Sequence, residues 1–174
     1  MHEVFIRKAI ELAVSAGKNG NGAFGAVLVH RERILETAEN TEITGIGFGH
    51  AEFNLVLKSA GQLQESILQE SVLYTSCTPC LRCTCAIVAA GIRQIVYSVS
   101  QQAFAQLIPA EYHPLTCEEI VRRLELRDVQ VIGPVLEEEG LRAFEYWGGK
   151  FISLEQRLEM AKRGRDNNFS ALHR

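Results

Sequence analysis

Nowhere in the 174 residues does an apolar run approach the length of a bilayer crossing. The opening stretch, MHEVFIRKAIELAVSAG, interleaves charge with apolar positions and so lacks the uninterrupted hydrophobic core of a secretory signal. These absences predict an intracellular, cytoplasmic protein with no membrane partner. Basic charge is not in excess either: 18 Lys and Arg against 21 Asp and Glu leave a formal net charge of −3. No global basic surface is available to neutralise nucleic-acid phosphates, which favours a small substrate over a long polyanion. Internal repeats and low-complexity segments are missing, so a repeat architecture is excluded. The cysteines do not come as an even set. There are five, three of them within Cys77-Thr78-Pro79-Cys80-Leu81-Arg82-Cys83, a density that suits metal binding in a reducing compartment better than a disulfide framework.

What is present reads as one domain, since 47% hydrophobic residues over this length can bury one substantial core. Val4, Phe5, Ala9, Leu12, Ala13 and Ala16 recur at helical spacing until Gly17, predicting an amphipathic packing helix. Ala23 to His30 and Arg33 to Ala38 are short apolar runs joined by Arg31 and Glu32, predicting a hairpin that lacks the favoured Asn-Gly turn. His50 begins a helix in which Phe53, Val56, Leu57 and Ala60 keep the period. Ser71 to Ser76 reads as a strand, Cys80 to Ala90 as a buried helix stopped by Gly91, and Arg93 to Ser98 as a second strand. Thr116 and Glu119 form a capping box ahead of Ile120, Val121 and Leu124. Asp128 to Ile132 reads as a strand ended by Gly133-Pro134, and Leu136 to Trp147 as a further helix. This alternation predicts an α/β sandwich with helices on both faces of a central sheet, the opening hairpin adding an antiparallel pair. After Lys150 the chain turns charged and loses periodicity. The expected division is a domain over 1–150 and a C-terminal tail over 151–174, mobile or docked on a partner subunit.

Chemistry concentrates at His50, Glu52, Cys80 and Cys83. Zinc prefers nitrogen and sulfur ligands in a tetrahedron, and a catalytic site takes three from the protein and leaves the fourth position open. Cys80 and Cys83 lie three positions apart at the start of one helix, where both side chains can face one point, and His50 comes from the first turn of another. The partial positive charge of a helix N-terminus favours thiolates there. Glu52, two residues past His50, can share the site without ligating the metal, as a proton shuttle does. Other readings of the same residues are a structural zinc site using Cys77, Cys80, Cys83 and Cys85, and a non-catalytic zinc domain for protein contact, which has no use for Glu52. Cys77 and Cys85 are otherwise expected to be small buried residues, and Arg82 to face solvent, a neighbouring subunit or an anionic group.

His-x-Glu together with Pro-Cys-x-x-Cys is the signature of zinc deaminases acting on bases. Here it is His50-Ala51-Glu52 and Pro79-Cys80-Leu81-Arg82-Cys83, preceded by Phe24-Gly25-Ala26-Val27-Leu28-Val29 and Tyr74-Thr75-Ser76-Cys77. On these blocks the chain resembles the cytidine and deoxycytidylate deaminase superfamily, and within it the guanine deaminase and tRNA adenosine deaminase branches. The resemblance implies a three-layer α/β/α sandwich with a five-stranded mixed sheet, a Zn2+ cofactor on His50, Cys80 and Cys83, and Glu52 as the catalytic proton shuttle. It implies substrate contacts from Phe24, which would stack, from Asn40, which would orient, and from Ala51, and it implies a homodimer. Phe24 read alone is a core aromatic, and Asn40 a turn residue. Two departures bear on substrate: Thr78 stands where glutamate is common in these branches, and Leu81-Arg82 where Pro-Met is common.

The expected function is hydrolytic deamination of a nucleobase or nucleoside with release of ammonia, guanine or a related purine base first. The alternatives are a tRNA adenosine deaminase and a cytosine or cytidine deaminase, with nucleic acid not favoured as partner. The distal wall of the pocket is expected from Gln101 to Pro114, with Glu111, Tyr112 and His113 as candidates, and a second acid/base role or a solvated helix start is expected for Glu137, Glu138 and Glu139.

Overall fold

The structure, a computed structural model, describes residues 2–45, 47–108 and 115–171, the last seven of these by backbone alone. The chain opens with α1 (His2–Lys18) and the hairpin β1 (Gly25–His30) and β2 (Arg33–Glu39). Then come α2 (Ala51–Ala60), the short α3 (Glu65–Gln69), β3 (Val72–Cys77), α4 (Leu81–Ala89) and β4 (Gln94–Val99). The second half holds α5 (Gln101–Leu107), α6 (Cys117–Arg123), β5 (Gln130–Ile132), α7 (Glu137–Leu141), a 3-10 turn (Arg142–Glu145), β6 (Tyr146–Trp147), β7 (Lys150–Phe151) and α8 (Leu154–Ala171). Five strands form one sheet in the order β2-β1-β3-β4-β5. β1 runs antiparallel to both its neighbours while β3, β4 and β5 are parallel, so the sheet is mixed, as expected.

The period of two along the strands builds the layers. Val27, Val29, Tyr74 and Val96 face one side, where Ile6, Ala9, Ile10 and Ala13 of α1 cover them together with Phe104 and Phe144. Ala26, Leu28, Leu73 and Ile95 face the other, under Leu55 and Val56 of α2, Ile87 of α4 and Val121 of α6. Strands covered on both faces need apolar residues at every position, which is why β1 and β3 read as continuous runs and not as alternations. The hairpin between β1 and β2 puts Arg31 and Glu32 at φ 49° and 63°. Positive φ at both central residues is what a tight two-residue turn demands, and the chain adopts it without the usual Asn-Gly.

Two stretches differ from the sequence expectation. Leu136 to Trp147 is not one helix: α7 gives way to the 3-10 turn, and Tyr146 and Trp147 pair with Phe151 and Lys150 in a two-stranded ribbon. Gly148 and Gly149, at φ 60° and 76°, make that turn, and they were the signal against a continuous helix. The charged segment after Lys150 does have a period. Leu154 and Leu158 of α8 pack on the α1 side of the core and Ala161 is buried, a narrow stripe outnumbered by charges. Among the described residues no helix is long and apolar enough to cross a membrane.

α1 crosses β1 where Gly25 sits, so closely that a Cβ there would collide with the backbone of Ala9 and Ala13. This approach fixes the strand start that carries Phe24. Gly25→Ala is expected to lower stability by about 1–3 kcal/mol, measured by urea unfolding, whereas Gly61→Ala, in open space, should stay within roughly 0.5 kcal/mol of the parent.

Candidate active site

Helices α2 and α4 start beside each other, and the residue before each start carries a ligand-type side chain. His50 and Cys80 both have extended backbone (φ −62°, ψ 147° and φ −69°, ψ 172°), and Cys83 follows in the first turn of α4. Nδ1 of His50 lies 3.5 Å from Sγ of Cys80 and 3.6 Å from Sγ of Cys83. In a tetrahedral zinc site, bonds of about 2.0 Å to nitrogen and 2.3 Å to sulfur put those atoms roughly 3.5 Å apart. The donor set and its spacing therefore fit the ion, and the three ligand atoms lie within 4.8 Å of one another.

Hydrogen bonds hold the approach. Nδ2 of Asn54, in α2, donates to the carbonyls of Glu39 and Gly49 at 2.9 and 3.1 Å and to Oγ1 of Thr41 at 3.1 Å. The end of β2 is thereby tied to the start of α2. Backbone N–H of Thr78 donates to the carbonyl of Val99 at 2.8 Å, anchoring the cysteine loop to the end of β4. A hydrogen bond from Cys83, with His50 close by, pulls the Cys80 thiol down to about 3, and the bond to Cys80 together with the nearby carboxylates raises His50 to about 9. Cys83 is pushed up by its bond to Cys80.

Glu52 is 4% exposed, and Oγ1 of Thr75 on β3 donates to its Oε1 at 2.6 Å. Burial raises its carboxyl above the usual range, and the Thr75 bond opposes that. The other ring nitrogen of His50, Nε2, faces Oε1 of Glu42 at 3.3 Å and Nη2 of Arg82 at 2.9 Å. A metal on Nδ1 leaves the proton on Nε2, where only the carboxylate can accept it. Arg82 then serves the carboxylate, 4.0 Å from Glu42, while lying over the ring of Phe48.

An open cavity lies over these groups. His50, Glu52, Cys80 and Glu42 line its ionic end, and Phe24, Phe104 and Trp147, with Thr78 and Gln101, line the rest. Phe24 serves core and cavity alike, edge-on to Phe104 and Trp147 at 5.5 Å and nearly parallel to the His50 ring at 6.5 Å. Asn40 and Ala51 are buried at 1% and 0% exposure and are not among the lining residues. Oδ1 of Asn40 accepts from the backbone of Glu42 at 2.8 Å, and its Nδ2 has no partner.

Of the five cysteines, Cys77 is buried as expected, but Cys85 is exposed, because two positions past Cys83 is the far side of the helix. The four-thiolate set is not assembled; the cluster found among the described residues is His50, Cys80 and Cys83. Glu137 accepts from the backbone and hydroxyl of Ser100 at 2.9 and 2.6 Å, a structural role at the start of α5. The stretch expected to supply the distal wall does so through Gln101 and Phe104, while Glu111, Tyr112 and His113 lie outside the described residues. Sequence reasoning missed Glu42, Thr75 and Trp147. Glu42 and Thr75 sit in no recognisable spacing with the ligands, and Trp147 was counted into a helix.

A family model for the cytidine and deoxycytidylate deaminase zinc-binding region matches residues 1–99. The chain belongs to that family. It is a hydrolytic deaminase of the family's zinc-binding type. Guanine deaminase of Bacillus subtilis is 33% identical over 107 residues, 60% of this chain and 69% of that protein. A probable cytosine deaminase of Schizosaccharomyces pombe is 27% identical over 154 residues, 83% of this chain and 91% of the other. A tRNA-specific adenosine deaminase of Buchnera aphidicola matches at 32% over 98 residues, 55% and 64% of the two chains. Among solved structures, a guanine deaminase from Nitrosomonas europaea superposes with a TM-score of 0.70 at 19% identity, covering 82% of each chain, a likeness of fold.

Cys83→Ala is expected to drop zinc content well below one ion per chain, read by elemental analysis. Glu42→Gln should keep the ion but weaken its affinity by about tenfold in chelator competition.

Proposed function

We propose that this deaminase acts on a free purine base, guanine first, with His50, Cys80 and Cys83 holding the zinc and Glu52 moving the protons. The observation that carries the reading is the buried Glu52 carboxyl, held by Thr75 at the ligand end of a cavity whose other walls are aromatic. A flat heteroaromatic ring suits the wall that Phe24, Phe104 and Trp147 form together beside the ionic end. We assign Asn40, at the end of β2, to orienting the base; its Oδ1 is already held by the backbone N–H of Glu42, and its Nδ2 has no partner. Ala51, as the first residue of α2, contributes a backbone N–H that the helix itself does not use.

A zinc ion held by His50, Cys80 and Cys83 would lower the pKa of water at the site toward neutrality. Glu52 accepts a proton from that water and passes protons to the ring nitrogen and the leaving amine, so water and amine exchange for carbonyl and ammonia. Thr75 keeps the carboxylate on the cavity side during these transfers.

Guanine leads because relatives and fold neighbours carry that activity in their names. Cytosine is the second reading, favoured by a match that covers 83% of this chain and 91% of the other. The same proposal includes a homodimer: Phe48, Leu57 and Leu81, at 62%, 61% and 49% exposure, lie on and just before the two helices that carry the site.

Ammonia release on guanine, adenine, cytosine, cytidine, adenosine and a tRNA anticodon stem-loop tests the substrate, and turnover of the stem-loop alone would overturn the free-base reading. Glu52→Gln should retain zinc while turnover falls by about 10²–10⁴-fold; retained activity would show that the shuttle lies elsewhere. Sedimentation equilibrium of the parent at micromolar concentration should give twice the monomer mass.

A further inference from the structure

Asn21 is 4% exposed, although it belongs to no helix or strand and lies in the turn between α1 and β1. A buried carboxamide commits its donors and acceptor to some partner, and this one commits them to a loop 22 and 23 residues further along the chain. Its Oδ1 accepts the backbone N–H of Ile43 at 3.1 Å and of Thr44 at 2.9 Å. The Thr44 hydroxyl lies 3.1 Å from the same oxygen and 2.9 Å from Nδ2. Ile43 and Thr44 are themselves exposed, so hydrogen bonding and not burial fixes them in place.

Glu42 stands between the base of that loop and its anchored tip. Thr41 closes the base, its N–H donating to the carbonyl of Gly49 at 2.7 Å and its carbonyl accepting from Gly45 at 2.8 Å. The N–H of Glu42 donates to Oδ1 of Asn40, so the successive N–H groups of residues 42, 43 and 44 all end on two buried carboxamides. The Glu42 carboxylate reaches Nε2 of His50 at 3.3 Å from a side chain that is 39% exposed. A long side chain in contact with water keeps such a bond only where its backbone is fixed, because the entropy of ordering it otherwise cancels an exposed ion pair. Asn21 also holds another part of the cavity lining: its main-chain carbonyl accepts the N–H of Gly148 at 2.9 Å, in the turn directly after Trp147. We propose that Asn21 is a positioning residue whose side chain sets Glu42 against His50, and so sets zinc affinity, while its main chain holds the turn beside Trp147. This rests on the reading of His50 as a zinc ligand and extends it to a residue outside both ligand motifs and outside the cavity lining.

Chelator competition on the full chain reads the effect as the Kd for zinc. Asn21→Leu keeps the volume and removes the side-chain hydrogen bonds, and it should raise that Kd by about tenfold, as loss of a ligating histidine's partner does. Asn21→Asp keeps the acceptor oxygen and should bind zinc within about twofold of the parent. In the Glu42→Gln background, Asn21→Leu should add less than about twofold, because the contact it positions is already lost. Trp147 is the one tryptophan in the sequence, and its emission in zinc-loaded Asn21→Leu should match the parent's, since the main-chain bond to Gly148 remains. Thr44→Pro makes the same test from the exposed side, removing the N–H and hydroxyl that Asn21 holds, and should weaken zinc binding by about as much even if Asn21→Leu does not fold. The proposal is overturned if Asn21→Leu or Thr44→Pro binds zinc within about twofold of the parent, if the loss is the same with and without the Glu42 carboxylate, or if Trp147 emission shifts with it. A parent that binds no zinc sinks the ligand reading itself, whereas a zinc-loaded parent matched by Asn21→Leu sinks this inference alone.

Discussion

Bringing one imidazole nitrogen to 3.5 and 3.6 Å from two sulfurs is the constraint on which the structure turns. Their mutual hydrogen bonds favour the cluster once it has formed, but they do not bring residues from separate helices to one half-buried place. The fold does it by starting two helices side by side, with the capping residue of each serving as ligand. Asn54 braces one start against the end of β2, and the Thr78 backbone braces the other against β4. Because β3 and β4 are parallel, their carboxyl ends open on the same side. That is where an α/β sheet has room for a ligand.

Around that centre the polar groups fall into two kinds. Some are fully committed: Thr75 to Glu52, Glu137 to Ser100, Asn54 to three carbonyl or hydroxyl oxygens. These make the frame rigid, and a rigid frame is what keeps a buried carboxyl aimed at one point. Others have capacity left over, Asn40 through Nδ2 and Thr78 through Oγ1.

Much of this was readable in advance, and the reasons are local. The capping box at Thr116 and Glu119 forms with both reciprocal bonds, at 3.2 and 3.1 Å, because it depends on four consecutive residues and nothing else. The metal ligands were readable for the same reason: their spacing is set by a helix turn. α8 was not, since the core faces it through only a few apolar side chains, and its meaning appears only once α5 and the 3-10 turn are there to receive it. The break after α7 was overlooked because Phe144 and Trp147 look like helix packing residues until the Gly148-Gly149 turn folds them back over Phe24.

By itself the sequence determined the chemistry of the ionic end: which atoms can bind zinc, which carboxyl stands beside them, and that strands and helices alternate around them. Those are properties of short segments, fixed by chemistry and by the period of a helix or strand. Tertiary structure alone decided the walls. Glu42 reaches His50 across a loop, Thr75 reaches Glu52 from a different layer, and Phe104 and Trp147 come from beyond the 99 residues that the family model matches. No spacing rule links residues that meet only because a sheet and its helices have closed over the same cavity.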